Sequence, residues 1–152
     1  MANGLLARYH DSPVLTGYQD LKIIQHSNKA YIMAYELAWE VNGVYWKYSG
    51  NVVGNEIVDA STSIYGDPRF ITLKYKFVDF LNAESVEIDK NQMALIAYQH
   101  LAAERANPYL KNAILIKSGQ KMAHMFADFF KKSSWEVKVF TDMDEANKWV
   151  GR

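Results

Sequence analysis

Residues Ile71 to Val78 alternate strictly, with Ile71, Leu73, Tyr75 and Phe77 on one parity and Thr72, Lys74, Lys76 and Val78 on the other. Period-two alternation of β-branched and aromatic residues fits a strand with one buried face. The pattern predicts a strand that ends at Asp79, where an open α/β sheet usually offers its functional edge. Ser85 to Ile88 reads as a second, short extended piece. Asp89 then opens a helix. Its carboxylate can accept from the free N–H groups of the first turn, and Gln92 three residues on completes a capping box. Met93, Ile96, Ala97, His100 and Leu101 share one face of that helix, and Asn107-Pro108 stops it.

The flanking segments extend this into an alternating chain. Tyr35 to Ser49 predicts a hairpin, turned at Asn42-Gly43, where both residues tolerate positive φ. Gly50 to Gly66 predicts a helix with Val53, Ile57, Ala60, Ser61 and Ile64 on one side and Gly66 as a left-handed cap. KNAILIK, Lys111 to Lys117, is apolar without polar alternation, as a central parallel strand covered on both faces would be. Ser118-Gly119 leads into a helix with Met122, Met125, Phe126, Phe129 and Phe130 on one face, and His124 and Asp128 spaced for a surface pair. Trp135 to Val139 alternates as a last strand. Thr141 is the expected cap of a final helix, whose acidic first turn of Asp142, Asp144 and Glu145 suits the macrodipole. Glu36, Glu40, Lys47, Lys74, Lys76, Glu136 and Lys138 are expected to point outward, leaving one sheet face partly uncovered.

The order of VDF, extended SVEID, helix, Asn-Pro and short apolar strand resembles STAS-like domains, the SpoIIAA-like fold. WEVKVFTDMDEANKWV resembles the closing strand and helix of uncharacterised bacterial proteins of that group. The resemblance spans about Tyr35 to Val150. It implies an α/β domain with a mixed sheet of about five strands, helices packed on it and an opening β-hairpin. Residues 33–152 are expected to form that single domain. Residues 1–32, with Gly4, Pro13 and Gly17 and no clean period, read as an N-terminal arm or extension, partly disordered, with Leu21 to Gln25 a short helix or strand. Met33 is an alternative native start.

Length and composition exclude several classes of function. A chain of 152 residues can bury roughly 70% of its unfolded surface in one domain. Its 17 basic and 17 acidic residues cancel, so no bulk field draws in nucleic acid or a membrane surface. Without cysteine there is no disulfide, thiol nucleophile, zinc–thiolate site or iron–sulfur cluster, which is compatible with a cytoplasmic protein. No apolar run is long enough for a membrane span, and no signal-peptide pattern opens the chain. The four histidines form no close ligand pair, so no metal and no cofactor is expected. Neither a nucleophile elbow nor a phosphate-cradling glycine loop is present, so no catalytic residue is assigned. Lysines interleave with aromatics from Lys74 to Phe77, but alternation sends them to opposite faces, against single-strand binding.

The resemblance also bears on regulation. Anti-sigma-factor antagonists among STAS domains carry Asp-Ser-Ser-Gly at the helix start and are phosphorylated on the second serine. By element order those positions are Asp89, Lys90, Asn91 and Gln92 here, so the phosphorylatable serine is missing. The leading expectation is a non-enzymatic, cytoplasmic interaction or regulatory module with a protein partner or a second copy of itself. Its contacts would be Asp79, Asp89, Lys90 and Asn91, or the open sheet face. The alternative is a carrier of a small apolar or lipid-like ligand, since STAS domains are similar in topology to CRAL-TRIO lipid carriers. That reading places an apolar pocket behind Met122, Phe126 and Phe129. An enzyme would need an acid–base pair drawn from distant residues such as Asp79 and His100.

Overall fold

The computed structural model describes residues 24–26, 29–31, 33–120 and 122–152. Ile24–His26 (β1) and Lys29–Tyr31 (β2) pair antiparallel. The rest of the arm expected over residues 1–32, including Leu21 to Ile23, lies outside the described residues.

Tyr35–Trp39 (β3) and Gly43–Val53 (β4) form the expected hairpin, but it turns one residue earlier than expected, at Val41-Asn42, closed by the Glu40 N–H on the Gly43 carbonyl, and Gly43 opens β4 without positive φ. Gly43 must be glycine for a packing reason: a Cβ there would lie 2.1 Å from the Tyr75 ring. Gly54–Thr62 (α1) follows directly, so the helix expected from Gly50 starts four residues later, because Gly50 to Val53 still pair with the next strand. Gly66 is not left-handed as expected. Ser63 ends α1 in the right-handed region, and Gly50 takes the positive φ instead, at +67°, where the strand pairing shifts register.

Tyr75–Glu87 (β5) corrects the opening expectation twice. Residues Pro68–Thr72 are a 3-10 turn, not strand: Asp67 caps it by accepting from the Arg69 N–H, and Pro68 presets its first φ. The strand does not stop at Asp79 either. It runs on through the second extended piece, because β4 is long enough to pair with it as far as Val53↔Glu87. Lys90–Ala103 (α2) has the predicted capping box, with Asp89 accepting from Gln92 N–H and the Gln92 side chain accepting from Asp89 N–H. Lys111–Leu115 (β6), Met122–Phe129 (α3), Glu136–Phe140 (β7) and Met143–Val150 (α4) complete the chain. Asp142, not Thr141, caps α4, since its carboxylate reaches the Glu145 N–H at 2.9 Å. Asp128 pairs with Lys131 at 2.9 Å, not with His124.

Among the described residues the main sheet has five strands in the order β3-β4-β5-β6-β7, antiparallel once and parallel thereafter. The expected mixed sheet with an opening hairpin and helices packed on it is therefore what the chain forms. Crossovers of one hand that always advance in one direction place their helices on one face. α1, α2 and α3 accordingly share a face, with Ile57, Ile64, Ile96 and Phe130 packed on Val44, Trp46 and Phe80. α4 packs on the other, against Tyr75, Phe77 and Leu115. The middle of β5 is thus covered twice. Lys76, expected to point outward, is instead buried under the three helices.

Candidate functional site

A cavity of about 50 Å³ lies between the sheet and helices α1–α3. Its wall is mostly hydrocarbon, including Ile57 of α1, Met93 and Ile96 of α2, Val78 and Phe80 of β5, and Phe126 of α3. Half-buried Ile88 and Phe126 form its outer part. Five side chains with polar atoms, each at most 2% exposed, also line it: Trp46, Tyr48, Lys76, His100 and Asn112, and buried Ser61 joins them from α1.

Strand register brings these groups together. Asn112 stands opposite Lys76 on the neighbouring strand, and Trp46 stands opposite Val78, two residues along. α2 supplies His100 from above, with Nε2 3.0 Å from Lys76 Nζ. The Tyr65 hydroxyl is 3.4 Å from the same nitrogen. Phe130 and Trp135 hold the imidazole, with ring centroids 4.9 Å and 5.3 Å away. The Trp135 Nε1–H donates to the Asn107 carbonyl at 2.6 Å, which fixes that indole.

Two forces act on the Lys76 amine. The rings of Trp46, Tyr65 and Trp135 lie 5.1–5.5 Å away, and their π faces favour the ammonium. Burial opposes the charge and dominates, drawing the amine down to about 7. His100 is pushed well below its usual value by burial and then by the Lys76 charge, so it stays neutral. Among the described residues no Asp or Glu lines the cavity. Trp46 Nε1, His100 Nδ1 and Asn112 Oδ1 have no hydrogen-bond partner in the protein. Buried polar atoms are nearly always paired, so three unpartnered ones beside one cavity set this part of the core apart.

The residues singled out in the sequence fall in separate places. Asp79 is buried on the α4 side of the sheet, where it accepts from the Tyr45 hydroxyl at 2.6 Å and the Leu81 N–H at 2.8 Å. The Tyr45 phenol is raised by burial and then by that bond. Asp89 caps α2, and Lys90 and Asn91 are exposed beside it, ten or more residues further along the chain. Asp79 and His100 lie on opposite sides of the sheet and do not pair. Phe126 reaches the cavity, Phe129 is 44% exposed, and the Met122 side chain lies outside the described residues. Lys76, Trp46 and Asn112 were not singled out. Their signal was faint: one Lys and one Asn inside apolar strands whose other faces were already accounted for. Among the described residues no cluster of three or more His, Cys, Asp or Glu could hold a metal ion, and no helix is long and apolar enough to cross a membrane.

No protein-family model matches the chain, and no curated protein matches it. Among solved structures it is similar to an uncharacterised protein of the DUF3478 family with a SpoIIAA-like fold from Shewanella loihica PV-4. The identity is 16%, over 77% of this chain and 92% of that one, with a TM-score of 0.45. That protein's fold has the name that the sequence resemblance suggested.

Proposed function

We propose that the protein is a non-enzymatic cytoplasmic module that holds a small, largely apolar ligand between its sheet and helices α1–α3. The cavity carries this reading, because close-packed cores leave few voids, and this one collects the unpartnered polar atoms of three side chains. Binding is favoured over catalysis since, among the described residues, no carboxylate lines the cavity beside Lys76 and His100 to complete an acid–base set. Native mass spectrometry of the full chain tests the reading, with Ser61→Leu as a variant that fills the cavity from α1. An added mass released on denaturation is expected in the parent and not in the variant. A bare parent whose melting temperature does not respond to a panel of small apolar probes would remove it.

A second reading, docking to a partner protein or a second copy, has one observation in its favour. Leu95, Tyr98 and Leu101 are 47%, 71% and 37% exposed on α2, the helix that begins beside Asp89, Lys90 and Asn91. Exposed apolar residues of this kind are common at contact surfaces. Lys90→Glu with Asn91→Asp would weaken such docking without unfolding the domain. Unchanged association would remove the helix-start version.

A further inference from the structure

The polar end of the cavity has donors in excess and no negative charge. As an ammonium Lys76 can only donate, so in that form it gives one N–H to His100 Nε2, 3.0 Å away. With Nε2 accepting, the His100 proton sits on Nδ1, so that nitrogen is a second donor, and it has no partner. The Trp46 Nε1–H can only donate and is also unpartnered. Against these stands the Asn112 amide, whose oxygen is free and which can present its NH₂ group instead if it turns over. Water would offer as many donors as acceptors and no charge. An ionised carboxylate has two acceptor oxygens and supplies the counter-charge that a buried ammonium lacks.

We propose that the cavity binds a short monocarboxylic acid, its carboxylate set against Lys76 and the Trp46 Nε1–H and its hydrocarbon body directed toward Val78, Ile88 and Phe126. This inference rests on the ligand-binding reading above and names the ligand's chemistry. Size sets the chain length. A dry cavity of ~150 Å³ takes the six carbons of benzene, so about 50 Å³ takes little more than the carboxylate itself, and the hydrocarbon body lies in the outer part between Ile88 and Phe126.

Protonation follows from the same groups. The titratable groups around Lys76 are His100 from α2, Tyr65 from the segment after α1 and Tyr48 of β4, whose phenol is pushed well up by burial; Ser61, Trp46, Asn112 and Phe126, from α1, β4, β6 and α3, carry no charge. His100 is held neutral, so Lys76 is the group that changes charge. Its amine is drawn down to about 7, so carboxylate affinity falls about tenfold per pH unit above that value.

The test uses the full chain with butyrate and its neutral isostere butyramide, followed by calorimetry and by melting temperature at pH 6.5. Butyrate is expected to bind and butyramide to bind at least about tenfold more weakly. Lys76→Met should remove the preference. Trp46→Phe, which deletes only the indole N–H donor and some ring, should weaken butyrate about tenfold while far-UV circular dichroism stays unchanged. Equal binding of acid and amide, or butyrate binding unaffected by either substitution, overturns the carboxylate assignment. Xenon binding seen by NMR separates the two levels: a xenon signal without any butyrate response rejects the carboxylate and keeps the cavity, and loss of both rejects the ligand-binding reading as well.

Discussion

Replacing Lys76 by methionine should make the protein more stable at neutral pH and less dependent on pH. In the unfolded chain the amine titrates near its ordinary value, and in the fold burial draws it from 10.5 down to about 7. Between those values the unfolded state holds the proton and the native state does not, so stability rises with pH. Below pH 7 both states are protonated and above 10.5 neither is, and the dependence disappears at both ends. Integrated from pH 7 to 9.5, the linkage amounts to about 3 kcal/mol. Near pH 9.5 the phenols, which ionise in the unfolded chain near pH 10, begin to oppose this rise, but the parent and the variant share them, so the difference between the two chains isolates Lys76. At pH 7 the full cost of the buried amine is about 4 kcal/mol. Methionine removes that cost but also the bond to His100, worth about 1–3 kcal/mol, and the aromatic attraction of about 1 kcal/mol. The expected net gain is about 1 kcal/mol at pH 7, turning into a loss by pH 9.5. Urea unfolding followed by tryptophan fluorescence at four pH values measures both chains. Parallel pH profiles for the parent and the variant would refute the reasoning, because they would mean that Lys76 is equally protonated in both states.

Three further substitutions probe the frame around the cavity. Asn107→Ala should cost about 3 kcal/mol in urea unfolding, since the Asn107 amide donates to the buried Phe70 and Leu73 carbonyls at 2.9 Å each and alanine leaves both without that donor. Gly43→Ala should cost about 2–3 kcal/mol, because the new methyl collides with the Tyr75 ring, which is itself tied to Glu40. Asp142→Ala should lower stability by about 1 kcal/mol and Thr141→Ala by less than about half of that, a comparison of melting curves that distinguishes the true cap of α4 from its neighbour.

The elements that carry their own local signal were legible in the sequence. The Asp89–Gln92 capping box and the Tyr35–Ser49 hairpin depend on contacts within a few residues and were legible, although the hairpin turns at Val41-Asn42 and not at Asn42-Gly43; the run at Lys111 showed its two covered faces through its unbroken apolar composition. What failed depends on a distant neighbour. The end of β5 is set by how far β4 continues alongside it, which nothing between Asp79 and Glu87 encodes. The alternation at Tyr75 to Val78 was read as one face in and one face out. Tyr75 and Phe77 do share a face, but the opposite parity is also interior, because three helices close over it. Lys76 was therefore placed in solvent by a rule that holds for strands exposed on one side. His100 was legible as a polar residue on an apolar helix face, yet its partner lies 24 positions away on β5 and was not.

The monotonic strand order has a consequence for assembly. From β4 on, every strand of the main sheet pairs with the strand that precedes it in the chain, so each new parallel pairing closes only the loop of one intervening helix. That keeps the entropy of loop closure small for a sheet of parallel type. The sheet can grow in the direction of synthesis, each strand templated on an edge already made. The cavity takes shape in the same sequence: floor from β4 and β5, roof from α1 and α2, polar corner completed by Asn112 of β6, and the Phe126 side closed last by α3.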